Sequence, residues 1–427
     1  MHARPKLLFL CQTLPFPPDG GVWIRTYHVL RLLSRAFDIT ALCFERAGSS
    51  GSHGDWRAAA GTDALGAFAD VEVFPIPQQH SRVRFAWDHL RSIASGRVYT
   101  TYLYDSGSFR RRLRELVDSR RFDMVHVDSL DLAAFLPDCR DLPVVCVHHD
   151  IESRLLRRRA ALEASRWRGA YLQFQAGLMD AVERRWCERI DLNVTVSEED
   201  EAALRASAPD ARIAVVPNAV DVDAFRPGDA GTGVAYVGGT SPFPNLDALN
   251  YFSERILPHL RRAAADIPVR WIGRATAAQQ EQYRQRLGIE LTGYVQDDRA
   301  AMGAAACHIV PLRIGGGTRL KILNAWAMGK PVVSTSIGCE GLRAADGDNI
   351  LVRDDPATFA AAMLSVLQDA GLRQRLGARG RATVEQHYSW DVVGAPMIER
   401  YLAIAGVGAP ECSSSAAGTS CPAMVIS

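Results

Sequence analysis

The sequence predicts an α/β protein made of two doubly wound units, each built around a parallel sheet. Short runs of Val, Ile and Leu without polar alternation recur between longer helical patterns, and such runs are typical of strands buried on both faces. The runs fall into two series, and a chain of 427 residues suits two domains of roughly 150 to 200 residues each. We therefore expect two cores, each lying between a sheet and its helices.

The runs place the expected strands in order along the chain. The first series lies at residues 7–10, 39–44, 71–74, 124–127, 144–147 and 192–196. The second series lies at residues 234–237, 269–272, 309–312, 331–334 and 350–352. The segment between the two series is dense in Pro, Gly and Asp, which places the linker near 217–233. The predicted domains are 1–216 and 217–388, and the small-residue tail 406–427 is expected to be disordered.

Composition and charge exclude several classes of protein. Apolar residues make up 48% of the chain and charged residues 23%, as in ordinary globular proteins. The 49 Lys and Arg residues balance the 48 Asp and Glu residues, which removes the whole-chain electrostatic case for nucleic-acid binding. The nine cysteines are scattered without a Cys-x-x-Cys pair and are expected to be reduced. Because no apolar run approaches the roughly 18 residues of a membrane helix, a cytoplasmic protein is expected.

Two arginine-rich stretches lie in the first half, at residues 110–121 and 153–159. Both carry apolar residues at helical spacing. One interpretation is a surface that meets anionic lipid headgroups or a lipid diphosphate, with peripheral contact at the inner membrane. The other is an ordinary solvated helix face. The sequence leaves both open.

The stretch 313–321 predicts an anion site. A strand at 309–312 is followed by a glycine-rich loop at 313–318 and a helix at 319–328. Successive glycines expose backbone N–H groups, and a helix start adds partial positive charge. Arg319 and Lys321 add full charges, which favours a diphosphate over a nicotinamide cofactor. The simpler interpretation is that the glycines only form a tight turn between strand and helix.

Residues 311–342 resemble the donor-site signature of the retaining, two-Rossmann (GT-B) glycosyltransferases of family 4, also called group 1 glycosyl transferases. Further matching pieces follow the family's order, and the resemblance covers nearly all of residues 5–405. These pieces are residues 17–21 with Arg25, 149–153, 194–198, 216–221, 236–249 and 292–295.

The resemblance implies a C-terminal domain that binds a nucleotide-sugar and an N-terminal domain that binds a glycan or lipid-linked acceptor, with a cleft between them. It also implies that a C-terminal helix near 389–405 returns to the N-terminal domain. The expected activity is a metal-independent hexosyl transfer without a separate cofactor, in exopolysaccharide or lipopolysaccharide synthesis. The nucleotide base stays open.

The resemblance also assigns roles to individual positions. The expected catalytic residues are His149, Gly21 and Arg25. The expected acceptor-side residues are Asp19, Gly20 and Glu152. The expected donor-binding residues are Gly239, Arg313, Gly316, Gly317, Thr318, Arg319, Lys321 and Asn324. His148 competes with His149 for the catalytic role.

The chain departs from the family pattern at four positions. Gly316 and Asn324 stand where two glutamates are usual, and Thr240 and Asn245 stand where Arg and Lys are usual. An amide at position 324 can still hydrogen bond but carries no charge. Two alternatives therefore remain beside the transferase: a nucleotide-sugar-binding protein with impaired catalysis, and a nucleotide-sugar epimerase on the same fold.

Overall fold

The computed structural model describes residues 4–18, 20–45, 54–78, 81–139, 141–240, 243–295, 297–315 and 319–407. Two parallel sheets organise this part of the chain, one in each half. The first sheet consists of β1 (Lys6–Cys11), β2 (Asp38–Glu45), β3 (Asp70–Pro75), β4 (Met124–Val127), β5 (Val144–Val147), β6 (Leu192–Thr195) and β7 (Ile213–Val215). The second consists of β8 (Val234–Val237), β9 (Val269–Ile272), β10 (Ile289–Leu291), β11 (Cys307–Val310), β12 (Val332–Ser334) and β13 (Leu351–Val352).

Helices connect the strands and cover both sheets. The α-helices are α1 (Gly21–Leu33), α2 (Gly54–Leu65), α3 (Arg82–Ser95), α4 (Thr100–Leu103), α5 (Gly107–Asp118), α6 (Glu152–Leu162), α7 (Arg166–Trp186), α8 (Glu198–Ser207), α9 (Phe243–Tyr251), α10 (Leu257–Ala263), α11 (Ala277–Leu287), α12 (Arg299–Gly303), α13 (Leu320–Ala327), α14 (Pro356–Gln368), α15 (Ala370–His387) and α16 (Trp390–Ile404). Two 3₁₀ segments, Leu130–Asp138 and Ile337–Cys339, and a π-helical turn, Phe252–Ile256, complete the elements.

The strand order shows where each sheet can bind a ligand. The orders are β3-β2-β1-β4-β5-β6-β7 and β10-β9-β8-β11-β12-β13. In both sheets the first strand of the unit is central, and Leu7 of β1 lies beside Ile39 of β2 and Met124 of β4. In such sheets, ligands bind outside the carboxyl ends of the strands, where the strand order reverses. The loops after β1, β4, β8 and β11 therefore face the predicted sites.

Burial on both faces explains why these runs form strands. Leu7, Leu8, Phe9 and Leu10 are all fully buried, and successive side chains of a strand point to opposite faces. Leu8 and Leu10 contribute to the core on one side of the first sheet, and Leu7 and Phe9 to the core on the other. The second sheet shares a third core with α13, α14 and α15.

All the predicted strands appear, with bounds that agree to within two residues, and two strands were missed. β7 and β10 have three residues each and lie at the edges of their sheets, so neither has the long apolar run of a central strand. The strand expected at 309–312 lies instead at Cys307–Val310. Pro311 follows directly, and proline lacks the N–H that a central strand donates.

The chain passes twice between the two halves. Residues 216–233, all described, contain no helix or strand apart from an isolated bridge from Val220 to Ser389. After α15 the chain returns, and α16 packs against α1. Tyr401 of α16 is hydrogen bonded to His126 of β4, with 3.0 Å between Oη and Nδ1. The C-terminal helix thus belongs to the core of the first half.

The structure also bears on the cysteines and on membrane spanning. The seven cysteines among the described residues are buried and form no disulfide, while Cys412 and Cys421 lie outside those residues. None of the described helices combines the length and the apolar character needed to cross a membrane. Of the tail expected to be disordered, residues 408–427 lie outside the described ranges.

Candidate functional site

The start of α13 gathers positive charge at the carboxyl end of β11. Arg319 precedes the first residue of α13 and is buried, and its Nη2 donates to the Ile337 carbonyl at 3.2 Å. Gly315 has φ of 153°, and a Cβ placed there would lie 2.6 Å from Arg319 Nη2. Because side chains other than glycine rarely adopt this φ, glycine is favoured at position 315. The expected donor residues Gly316, Gly317 and Thr318 lie outside the described residues.

Burial lowers the pKa of Arg319, while Asp150 and Glu340 favour its charged form. The guanidinium therefore stays charged in a place that is poorly hydrated. Such a cation interacts strongly with an anion that enters the cleft.

Lys321 lies within the first turn of α13 and points toward β8. Its Nζ donates to Tyr236 Oη at 2.6 Å and to Asn245 Oδ1 at 3.0 Å, and it lies 4.1 Å from the centre of the Tyr236 ring. Neither acceptor carries a charge. Burial, followed by repulsion from Arg319, lowers the pKa of Lys321 to about 7. Asn245, which stands where the family usually has a cation, thus holds Lys321 in place.

Other donor-side residues occupy different surroundings. Asn324 lies one helical turn beyond Lys321 and is half-buried. Gly239 follows β8, and a Cβ there would lie 2.7 Å from the Arg274 carbonyl, so glycine allows the ends of β8 and β9 to approach. Arg313 is exposed and forms a bidentate pair with Asp247 of α9, with Nε 3.1 Å from Oδ2. Its charge is already partly neutralised. The donor roles of all three stay predictions.

Asp128 organises the facing site in the first half. It directly follows β4 and is buried. Its Oδ1 lies 3.4 Å from His149 Nε2 and 3.6 Å from His126 Nε2, and its Oδ2 accepts from Thr26 Oγ1 at 2.7 Å. Burial opposes ionisation of Asp128, but His149 and His126 outweigh that effect and hold its pKa below the usual range. The ends of β4 and β5 and the start of α1 meet here.

The two neighbouring histidines have different surroundings. His148 Nε2 lies 3.0 Å from Asn193 Oδ1, and burial lowers the pKa of His148 to about 4. His148 is therefore a neutral residue bound to the sheet. His149 is oriented by Asp128 instead, which favours it for the catalytic role. That role itself stays a prediction.

Arg25 contacts the linker. It is buried in α1, and its guanidinium donates to the Val216 carbonyl and to Asn218 Oδ1, both at 2.8 Å. Burial lowers the pKa of Arg25 to about 10. Through these hydrogen bonds, Arg25 holds the segment that leaves the first half against α1. Its expected catalytic role stays a prediction.

The start of α1 is open, as an anion or acceptor site requires. Gly21 is the first residue of α1, and a Cβ added there would meet no described atom within 4 Å. Gly20 precedes it with an extended backbone, at φ of −143°. Asp19 lies outside the described residues. The roles expected for Gly20 and Gly21 stay predictions.

Carboxyl side chains other than Asp128 also lie near His149. Burial raises the pKa values of Asp131 and Asp150 to about 6, although His149 partly offsets the effect in both. Burial, with repulsion from Asp131 and Asp150, raises the pKa of Glu152 well above its usual range. Glu152 was expected here. Asp131 and Asp150 were missed, although Asp150 adjoins His149 in the sequence.

Arginines of α6 connect the two halves at the loop between β11 and α13. Arg158 Nη1 donates to the Gly315 carbonyl at 2.5 Å and to Glu340 Oε2 at 2.6 Å. Arg154 Nη2 donates to Glu340 Oε1 at 2.6 Å. Sequence reasoning found the arginines, but their partner is 182 or more positions away.

These contacts change the interpretation of the two basic stretches. In the second stretch, Arg154 and Arg158 bind Glu340, and Arg157 lies 3.5 Å from Asp180. In the first stretch, Arg110 and Arg114 bind Asp138, and Arg112 binds Glu72. Much of the charge that suggested a lipid surface is therefore used within the protein.

Comparison with known proteins identifies the family. A family model described as Glycosyltransferase Family 4 matches residues 19–224, and one described as Glycosyl transferases group 1 matches residues 231–369. The phosphatidyl-myo-inositol mannosyltransferase of Mycolicibacterium smegmatis is 23% identical over 320 residues, covering 70% of this chain and 75% of the relative. The enzyme of the same name from Mycobacterium tuberculosis is 29% identical over 213 residues, covering 45% of this chain and 55% of the relative.

Solved structures show the same architecture. Anabaena HepE, in complex with UDP and glucose, has a TM-score of 0.65 at 15% identity, covering 93% of this chain and 99% of that one. Sucrose-phosphate synthase from Thermosynechococcus elongatus has a TM-score of 0.67 at 14% identity, with the same coverage. These likenesses confirm the predicted GT-B fold with its two Rossmann-like sheets. The chain belongs to the family 4, group 1 glycosyltransferases.

Proposed function

We propose that this glycosyltransferase moves a hexose from a nucleotide-sugar to a hydroxyl acceptor with retention of the anomeric configuration. The observation that carries the proposal is the pair of cations at the start of α13, the buried Arg319 and the half-buried Lys321. Lys321 is held by neutral oxygens in a place where burial disfavours its charge. A diphosphate supplies the anion that such a place favours.

The same cations account for the chemical step. When the bond between sugar and diphosphate breaks, negative charge develops on the departing oxygen. Cations fixed before the reaction stabilise that charge more than they stabilise the bound donor. Arg319 and Lys321 supply charge that a metal ion supplies in other enzymes, and metal independence is part of the proposal. Unchanged turnover in a chelator supports it.

On the facing side, His149 orients the reacting sugar. Its imidazole lies 3.4 Å from Asp128, whose own position is fixed by Thr26. The Asp128 carboxylate thereby fixes the direction of the imidazole ring beside the reacting sugar. The open start of α1 at Gly21 adds room and a helix terminus for the acceptor or the diphosphate.

The acceptor is a glycan or a lipid-linked hydroxyl compound, in exopolysaccharide or lipopolysaccharide synthesis. A phosphatidyl-myo-inositol mannosyltransferase among the relatives supports a lipid-linked acceptor. Because Anabaena HepE was solved in complex with UDP, UDP-sugars are the first donors to test. We propose a place of action at the cytoplasmic face of a membrane.

One alternative keeps specific support. Asn324 replaces a glutamate of the family pattern, which favours a protein that binds a nucleotide-sugar but transfers poorly. Incubation with UDP-sugars or GDP-sugars and lipid-linked acceptors distinguishes the transferase from this alternative. Release of nucleoside diphosphate with a glycosylated acceptor supports transfer, and tight binding without release supports the alternative.

The donor site itself is tested with Arg319→Gln. Charge-assisted hydrogen bonds contribute about 1.5 to 3 kcal/mol, so nucleoside diphosphate affinity is expected to fall roughly 10- to 100-fold. Affinity for the nucleoside alone is expected to stay nearly unchanged. Calorimetric titration measures both. Arg286→Gln, on an exposed position of α11, is the matched control, and equal losses for nucleoside and diphosphate contradict this site.

A further inference from the structure

The helix α3 is oriented with its apolar face toward solvent. Val83, Trp87, Leu90 and Ile93 are 80%, 59%, 58% and 52% exposed. Their spacing places them on one side of a helix with 3.6 residues per turn. Asp88 and Ser92, on the opposite side, are completely buried. An ordinary surface helix has the reverse arrangement, and a large exposed apolar patch marks an interaction site.

Specific hydrogen bonds fix this orientation. Gln78 Nε2 donates to Asp88 Oδ2 at 2.7 Å. Ser92 Oγ donates to the Arg97 carbonyl at 2.7 Å and accepts from Gln175 Nε2 of α7 at 2.8 Å. Rotation of α3 to bury its apolar side would leave these polar groups without partners in the protein interior, which is costly. The outward apolar face is therefore a stable feature of the fold.

Two further exposed aromatic residues belong to α3 and to α7, which contacts it. His89 contacts Tyr171 of α7, and Ser92 contacts Gln175 of the same helix. Phe85, which lies against the His89 ring, is 52% exposed, and Trp167 of α7 is 88% exposed. We call Val83, Trp87, Leu90 and Ile93 the α3 face.

The charge around the α3 face is positive. Residues 81–97 contain four arginines and one acidic residue, the buried Asp88, which lies 3.6 Å from Arg84 and 3.5 Å from Arg91. Residues 164–174 contain Arg166 and Arg168, both exposed, and no acidic residue. Two copies of this face would bring like charges together. An anionic surface with an apolar interior is complementary to it.

We propose that the α3 face binds the surface of a lipid bilayer that contains anionic lipids. Apolar side chains on one side of a helix, flanked by arginines, are typical of helices that lie in the interface of a membrane. Tryptophan favours that interface because its ring is apolar and its N–H polar. Arginines gain from the negative potential of anionic headgroups.

The position of the α3 face connects it to the candidate site. The helix α4 follows α3 closely, and Thr100 of α4 hydrogen bonds to Asp131, one of the carboxyl groups near His149. A bound bilayer therefore lies toward the acceptor side. This last point rests on the proposed transferase activity, whereas the binding of the α3 face to lipid does not.

Vesicle co-sedimentation of the full chain tests the proposal. We expect binding to vesicles of phosphatidylcholine with 30 mol% phosphatidylglycerol, on the order of tenfold stronger than to phosphatidylcholine alone. The double variant Trp87→Ser with Leu90→Ser is expected to bind at least about tenfold more weakly. Val392→Ser, at an exposed apolar position of α16, is the matched control and should bind as the unmodified chain does.

Two further measurements separate the outcomes. Far-ultraviolet circular dichroism and nucleoside-diphosphate binding should be unchanged in the double variant, which shows that it folds and that the donor site is intact. If the unmodified chain does not bind nucleoside diphosphate, that result contradicts the proposed function but not the lipid proposal. Equal binding of the double variant and the control to anionic vesicles overturns the lipid proposal. The lipid proposal is also overturned if analytical ultracentrifugation shows the unmodified chain as a dimer and the double variant as a monomer.

Discussion

At the scale of single residues, we expect Lys321 to make anion binding at the start of α13 sensitive to pH. Burial and Arg319 lower its pKa from 10.5 to about 7, so at pH 8 the folded protein without ligand holds this amine largely neutral. A diphosphate favours the charged form and raises the pKa again. Binding must then take up a proton.

We therefore expect uptake of close to one proton per nucleoside diphosphate bound at pH 8, and weaker binding as the pH rises from 7 to 9. Calorimetry in two buffers of different ionisation enthalpy measures the uptake. Lys321→Arg, which stays charged, is the matched control and should show almost no uptake. A similar uptake in Lys321→Arg would assign the proton to another group.

The same pKa has a consequence for stability, and the sign follows from linkage. Between pH 7 and about 10 the unfolded chain holds a proton on this amine that the folded chain lacks. Its contribution to the free energy of unfolding therefore rises with pH across that interval. Below pH 7 the folded state must keep a charged amine buried.

Sequence reasoning predicted some of the site at this scale. Arg319 and Lys321 were identified because loop, cations and helix start are adjacent in the chain. Asp128 contacts His149, which is 21 positions away in the sequence, and Thr26, which is 102 positions away. These contacts follow from the order of strands in the sheet, which a single sequence does not specify. The contacts of Arg25 with the linker were missed for the same reason.

At the scale of elements, α6 carries the connection between the halves. Glu340 receives hydrogen bonds from Arg154 and Arg158, and Arg158 also holds the Gly315 carbonyl of the donor loop. We expect Glu340→Gln to raise the KM for the donor roughly tenfold, about 1.4 kcal/mol, because the loop loses its anchor. The KM for the acceptor should change less. Steady-state kinetics with each substrate varied measures both.

Arg157→Gln is the matched control for this prediction. Arg157 lies on the same helix, but its partner Asp180 belongs to α7 in the same half. A change in donor KM as large as that of Glu340→Gln would mean that α6 stability, and not the contact with the donor loop, determines the effect.

Elements were predicted better than their orientation. The eleven expected strands all appear, because apolar runs of the central strands reflect burial on both faces. The pattern of α3 likewise indicates an apolar face, but periodicity alone does not say whether that face points to the core or to solvent. The orientation of α3 is determined by hydrogen bonds from Gln78 to Asp88 and from Gln175 of α7 to Ser92.

At the scale of the whole molecule, we expect substitutions in the two halves to lower the unfolding temperatures of different transitions. Met397 of α16 is buried in the core of the first half, far along the chain from the strands it covers. Met397→Ala is expected to cost about 2 to 5 kcal/mol and to lower the unfolding temperature of that half. Nucleoside diphosphate should raise the unfolding temperature of the other half.

Differential scanning calorimetry with and without nucleoside diphosphate measures both effects. Met363→Ala, buried in the core of the second sheet, is the matched control and should lower the transition that the nucleotide raises. If Met397→Ala lowers that same transition as much as Met363→Ala does, the two halves unfold as one unit.

The two passages of the chain between the halves lie side by side. The Val220 N–H donates to the Tyr388 carbonyl at 2.8 Å, and Val220 forms a bridge with Ser389. Because the two segments are hydrogen bonded to each other, we expect this joint to bend about one axis and to resist twisting. Any opening between the halves would then move His149 and Lys321 apart along a single direction.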